Sequence, residues 1–131
     1  MPAIFMIEIK LAIVGCRPKT KVITYDFFES KVNELLKKHD LKPILIISGG
    51  AEGIDKHAET YADKNGIEKL IHLPEYDKYP GYIAPLKRND KIVDDNDVMF
   101  AFWNEKSTGT KDVTDKQTKA DKDLIIIKIW K

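Results

Sequence analysis

Apolar residues recur along this chain with two alternating periods. Ile7, Ile9, Leu11 and Ile13 alternate with Glu8 and Lys10, and Leu11-Ala12-Ile13-Val14 is wholly apolar before Gly15 stops the run. Alternation that passes into a continuous apolar stretch marks a strand entering a sheet covered on both faces. Ile44-Leu45-Ile46-Ile47, Asp97-Val98-Met99-Phe100-Ala101-Phe102-Trp103 and Leu124-Ile125-Ile126-Ile127-Lys128-Ile129-Trp130 read the same way. Lys69-Leu70-Ile71-His72-Leu73-Pro74 reads as a short third strand.

Between these runs the period lengthens. Phe28, Val32, Leu35, Leu36 and His39 fall at spacings of four, seven, eight and eleven, one face of a helix that ends before Pro43. Thr24 or Asp26 caps it, and Glu29, three residues after Asp26, completes a capping box. Ile54, Ala58, Tyr61 and Ala62 begin a second stripe, which Asn65-Gly66 ends with a left-handed stop. Pro85 sits in the first turn of a third helix with Ile92 and Val93 as its apolar face. From Lys111 to Lys122 only Val113 and Ala120 offer an apolar side, so the fourth helix is the most weakly marked.

Strand and helix in alternation predict a single α/β domain over all 131 residues. Right-handed crossovers leave few topologies, of which a Rossmann-like, doubly wound parallel sheet of five strands ordered 3-2-1-4-5 is favoured. In that order the first and fourth strands flank the switch point, and ligands of such sheets bind at the carboxyl ends of the strands. The loops after Gly15, Ser48 and Asn104 then open on one rim, with Arg88 and Asn89 near the start of the third helix close by.

Those loops carry the candidate chemistry. After the second strand comes Ser48-Gly49-Gly50-Ala51-Glu52-Gly53-Ile54-Asp55, with three glycines inside five residues. Glycines permit a tight turn and close approach of a ligand to the main chain, and a turn into a helix aims free amides and the positive dipole end at one spot. A phosphate suits such a spot; a bare strand-to-helix turn is the plainer reading. The turn is neither a G-x-G-x-x-G fingerprint nor a Walker loop, since no Lys-Ser or Lys-Thr follows the glycines. Gly15-Cys16-Arg17-Pro18 is the loop after the first strand, where Arg17 is placed either to meet an anion or to lie in solvent.

Composition narrows the partners. Lys and Arg (22) nearly balance Asp and Glu (21), which argues against a dedicated nucleic-acid coat while leaving room for a local basic groove. With 43% hydrophobic residues the chain can build a core without disulfides. The single Cys16 forms no internal bridge, which points to a reducing, cytoplasmic setting. The apolar opening is cut by Glu8 and Lys10, too short to span a bilayer, so no membrane partner is expected. His57 and His72, with Asp55, match no metal spacing and read as satisfied or solvated histidines, and no metal site is expected. Tyr76, Tyr79 and Tyr82 lie in one loop, either as stacking platforms or as anchors that fold the loop onto the core.

Taken together, these residues resemble a known pattern. Gly15-Cys16-Arg17, Ser48-Gly49-Gly50-Ala51 with Gly53 and Asp55, Arg88-Asn89, the strand ending in Trp103, and Gly109-Thr110 resemble the YspA-like, cpYpsA-related branch of the SLOG superfamily, over nearly the whole chain. That superfamily also includes DprA and the LOG phosphoribohydrolases. The resemblance implies a Rossmann-like fold and a nucleotide or nucleotide-derived ligand. The pocket it implies is lined by Gly15, Cys16, Arg17, Ser48, Gly49, Gly50, Arg88, Asn89, Gly109 and Thr110. Asp55 anchors the helix start or meets a ligand hydroxyl, and Ala51, Gly53, Tyr76 and Trp103 complete the candidate set. Related proteins often pair, so a homodimer or higher homo-oligomer is a further expectation, with the apolar final strand as one surface for it.

The departures matter as much. Relatives commonly carry Gly-Ser-Arg where this chain has Gly15-Cys16-Arg17, and Ala-Gly-Pro where it has Ala84-Pro85-Leu86-Lys87. The LOG hydrolases use Pro-Gly-Gly-x-Gly-Thr-x-x-Glu, whereas here Val113 stands at the glutamate position. A valine moves no proton. If the chain cleaves an N-glycosidic bond, Glu105 or Asp112 must serve, with Arg88 holding the phosphate. Three readings follow: a module that senses, sequesters or processes a phosphorylated nucleotide-like molecule; a single-strand DNA binder using Lys87, Arg88 and Lys91 with the loop tyrosines; and an assembly subunit with a vestigial pocket.

Overall fold

The computed structural model describes residues 5–16 and 23–129. Over them the chain runs β1 (Ile7–Gly15), α1 (Tyr25–Lys38), β2 (Leu41–Ser48), α2 (Ile54–Lys64), β3 (Glu68–Ile71), α3 (Ala84–Asp95), β4 (Val98–Trp103), α4 (Thr108–Lys119) and β5 (Asp123–Lys128). The strands form one five-stranded sheet ordered β3-β2-β1-β4-β5, and every neighbouring pair is parallel. This is the doubly wound topology expected from the alternation of periods.

Side-chain alternation sorts the core into two layers. Leu11, Ile13, Val98, Phe100 and Phe102 face α1 and α2, where Phe28, Val32, Ile54, Ala58 and Tyr61 meet them. Ala12, Val14, Met99 and Ala101 face the other side with Ile47, against Ile92 and Val93 of α3 and Val113 of α4.

Several boundaries differ from expectation for local reasons. β2 begins at Leu41, not Ile44, and takes in Pro43; its register with β1 slips so that Ile9 pairs with Pro43 and Lys10 with Leu45. Ile44 is passed over at this irregularity and is 45% exposed, so it is not part of a doubly buried run. β3 stops at Ile71, and Leu73 is exposed. β5 stops at Lys128, and Trp130 lies outside the described residues.

Thr24 caps α1, its Oγ1 accepting from the Phe27 amide at 3.2 Å. Asp26 lies in the first turn, and Glu29 accepts from the Tyr25 hydroxyl instead of closing a capping box. His39 is the C-cap and is exposed, so it ends the helix without extending its stripe.

α4 starts at Thr108, earlier than expected, and Ala120 is an exposed C-cap residue. Its inner side is built from Thr110, Val113, Thr114 and Gln117. Fully buried Gln117 is accommodated because its amide pairs with Asn96: Gln117 Nε2 donates to Asn96 Oδ1 at 2.7 Å, and Asn96 Nδ2 donates back at 3.0 Å. Gln117 Nε2 also donates to the Asp123 carbonyl at 2.9 Å. A buried polar pair that satisfies itself replaces the apolar stripe that periodicity looks for. Among the described residues no helix is long and apolar enough to cross a membrane.

Candidate functional site

A cleft of about 1210 Å³ opens at the carboxyl ends of the strands. Val14, Gly15 and Cys16 line it after β1, Gly49, Gly50, Ala51 and Asp55 after β2, and Pro74 and Tyr76 after β3. Pro85, Arg88, Asn89 and Ile92 enter from α3, and residues 104–110 with Val113 from the β4 loop and α4. Turns that follow β1, β2, β3 and β4 thus contribute to one hollow.

Gly15 ends β1 against α2: a Cβ there would stand 2.5 to 2.8 Å from three atoms of Ile54, which is fully buried. Gly50 has φ +74° and Gly53, the N-cap of α2, φ 85°, conformations that side chains other than glycine rarely adopt. Gly53 offers no capping side chain, and Asp55, in the first turn of α2, reaches back to brace the preceding loop, accepting from the Ala51 amide on Oδ2 at 3.0 Å.

Arg88 closes the turn from above. Its Nη1 donates to the Gly49 carbonyl at 2.6 Å, and its Nε donates to Asn89 Oδ1 at 3.0 Å. Asn89, itself buried, passes the connection on: Nδ2 donates to Asp112 Oδ2 at 3.0 Å and to the Gly109 carbonyl at 3.4 Å. The Arg-Asn pair therefore ties the β2 turn to the first turn of α4.

The β4 loop is held by its own polar side chains. Asn104 Oδ1 accepts from the amides of Lys106 and Ser107, both at 2.9 Å, while Glu105 between them takes φ 65°. Ser107 Oγ then caps α4 by accepting from Thr110 N at 3.4 Å. Thr108 and Gly109 open α4 on the cleft side.

Asp55 is the electrostatic centre of the floor. Burial pushes its carboxyl from 3.8 up to about 6, against the opposing pull of the Ala51 amide and Arg88. Its Oδ1 and the Ser48 Oγ are buried without a hydrogen-bond partner among the described residues.

Of the residues singled out from sequence, Gly15, Cys16, Gly49, Gly50, Ala51, Asp55, Tyr76, Arg88, Asn89, Glu105, Gly109 and Thr110 line the cleft. Ser48, Gly53, Trp103 and Asp112 do not. Ser48 is buried under the turn, Gly53 shapes the helix start, and Trp103 braces the β4 loop by donating Nε1 to the Ser107 carbonyl at 3.0 Å. Asp112 is committed to Asn89 and, at 3.0 Å, to Lys116. Arg17 lies outside the described residues. Val113 forms part of the wall where the hydrolase pattern has glutamate.

The rim is less basic than the sequence suggests, since Lys91 and Lys78 both pair with Glu75, at 2.6 and 3.1 Å, and Lys87 lies over the Tyr79 ring. His57 bonds the Ile23 carbonyl at 2.7 Å and His72 meets Asp95 at 2.6 Å, so both histidines are engaged. Pro74, Pro85 and the capping residues Asn104 and Ser107 also line the cleft, although the candidate set drawn from sequence did not include them. The Asn-x-x-Ser-x-x-Thr spacing from Asn104 to Thr110 was the signal that could have found the last two.

No protein-family model and no curated protein sequence matches the chain. Among solved structures it is similar to DNA processing protein A (DprA) from Streptococcus pneumoniae, with a TM-score of 0.64 and 19% sequence identity. The likeness covers 89% of this chain and 49% of that one, so the chain spans about half the length of that protein. At this identity the likeness is one of fold, and it agrees with the Rossmann-like topology.

Proposed function

We propose that the chain is a single nucleotide-binding domain whose cleft takes a nucleotide or nucleotide-derived phosphorylated small molecule, as a sensing, sequestering or processing module. The observation that carries this reading is the junction of Gly49, Arg88, Asn89 and Gly109. A guanidinium, a side-chain-free turn and the start of a helix are linked by hydrogen bonds around one hollow. A guanidinium beside the start of a helix favours a bound anion. The resemblance of the same residues to the YspA-like branch supports a nucleotide as its carrier.

Turnover by N-glycosidic cleavage has less behind it. With Val113 in the wall and Asp112 committed elsewhere, Glu105 is the candidate that remains from sequence. It is 53% exposed and pairs with Lys128 at 3.5 Å.

A second reading is single-strand DNA binding. It draws on the DprA-like fold and on exposed Tyr76 and Tyr82, while the pairing of Lys78 and Lys91 with Glu75 weakens its basic rim. Mass spectrometry of small molecules released from gently denatured protein separates the readings. A phosphorylated nucleoside derivative is expected. No released molecule, together with oligonucleotide affinity that falls steeply with salt, would favour the second.

A further inference from the structure

We infer that the ligand lies across the sheet with a planar ring on Tyr76 and its anionic part toward Arg88 and the start of α4. The inference rests on the nucleotide reading and adds the direction in which such a molecule is held, and the side chain that selects for its ring.

The two ends of the cleft differ in chemistry. After β3 the wall is Pro74 and the ring of Tyr76, with Pro85 entering from the first turn of α3, and none of the three carries a charge. At the β4 end it is polar, with Glu105, which pairs with Lys128 at 3.5 Å, and then Lys106, Ser107, Thr108 and Gly109 ahead of the first bond of α4, from Lys111 N to the Ser107 carbonyl. In the order β3-β2-β1-β4 these ends are three strand spacings apart, or ~14 Å at ~4.8 Å per step. A molecule that satisfies both is long, with one end ring-like and the rest anionic.

Tyr76 is distinguished from the other loop tyrosines. It lines the cleft yet is 62% exposed, an aromatic face in solvent beside a cavity. Tyr79 is half-buried under Lys87, and Tyr82, though 78% exposed, does not line the cleft.

The backbone that presents Tyr76 is pinned. Glu75 is clamped by Lys91 and Lys78, and its carbonyl accepts from the amides of Lys78 and Tyr79 at 3.0 and 3.1 Å. A tyrosine on a fixed turn loses little freedom on stacking, and a base on an aromatic side chain is worth ~1–3 kcal/mol.

Isothermal titration of the four ribonucleoside 5′-diphosphates and of ribose 5-phosphate tests this, using wild type, Tyr76→Ala, Tyr76→Phe and Tyr82→Ala. For the tightest nucleotide, Tyr76→Ala is expected to lose about 5- to 150-fold in affinity. Tyr76→Phe and Tyr82→Ala are expected to stay within about twofold, and ribose 5-phosphate, which has no ring, to bind wild type and Tyr76→Ala alike. Nucleotide binding unchanged in Tyr76→Ala would overturn the inference while leaving the nucleotide site standing. So would an equal loss for ribose 5-phosphate, which would give Tyr76 a merely structural role. Wild type that binds none of the five compounds would overturn both readings.

Discussion

Arg88 Nη1 reaches the carbonyl oxygen of Gly49 at 2.6 Å because Gly49 has no side chain. A Cβ at that position would stand 2.5 Å from the same Nη1 and 3.0 Å from Asp55 Oδ2. Arginine, glycine and aspartate therefore pack against one another at this turn. The guanidinium is the far end of a flexible side chain and can swing away.

Gly49→Ala is therefore expected to fold, with a stability loss of about 1–2 kcal/mol from the displaced charged hydrogen bond. Nucleotide affinity should drop at least about tenfold, an effect of about 1.4 kcal/mol. Thermal melting and calorimetric titration read the two quantities separately. A variant that melts like wild type and binds like wild type would show that the Arg88 contact is incidental.

Asp55 makes stability depend on pH in an unusual direction. Its folded value of about 6 lies above the ordinary 3.8, so the native state holds the extra proton between those values. The stability associated with the neutral carboxyl is fully present below about pH 4, is lost as pH rises toward 6, and does not change further above that. Asp55→Asn keeps the neutral form and an acceptor for the Ala51 amide. It should be more stable than wild type at pH 7.5 by about 1–3 kcal/mol, with the advantage gone at pH 4. It should also bind an anionic ligand more tightly at pH 7.5, since the charged carboxylate opposes the ligand's charge. Denaturant melts at the two pH values check the first outcome; equal differences at both would contradict it.

Gln117→Leu separates stability from binding. The substitution leaves Asn96 Oδ1 and the Asp123 carbonyl without the Nε2 donor they share. A buried acceptor left unsatisfied costs about 1–3 kcal/mol. The pair sits at the amino ends of β4 and β5, away from the cleft, so nucleotide affinity should be unchanged. Urea unfolding and titration of one preparation give both values.

The same pair explains why α4 was hard to read in the sequence. Its buried side is two threonines, a valine and a glutamine, and no periodicity of apolar residues reveals an amide pair that satisfies itself across two helices. The sheet was legible for the opposite reason: Leu11-Ala12-Ile13-Val14 and the β4 run are apolar on both faces because helices cover both. Ile44 misled because a register slip, which composition does not encode, turned it outward.

In the site, glycines and the Arg-Asn pair were legible because turns and helix starts leave signatures. Ser48, Gly53 and Trp103 carry the same signatures but support the walls from behind, and a linear pattern does not distinguish the front of a wall from its back. Glu52, between Ala51 and Gly53, does not line the cleft although its neighbours Gly50 and Ala51 do.

Gly109 offers the most direct test of the proposed nucleotide site. It lines the cleft, sits in the first turn of α4, and a Cβ on it would meet nothing within 4 Å. A larger side chain there enters the space assigned to the ligand without disturbing the fold, and replacing glycine in a helix favours the helix by up to ~1 kcal/mol. Calorimetric titration of ribonucleoside 5′-diphosphates into wild type and Gly109→Leu, with melting temperatures measured alongside, should show saturable binding to wild type and binding weakened at least about tenfold in a variant that melts at the same temperature or higher. Equal affinity in the two proteins, or no binding to wild type under conditions where a single-stranded oligonucleotide binds, would contradict the assignment of this cleft to a nucleotide.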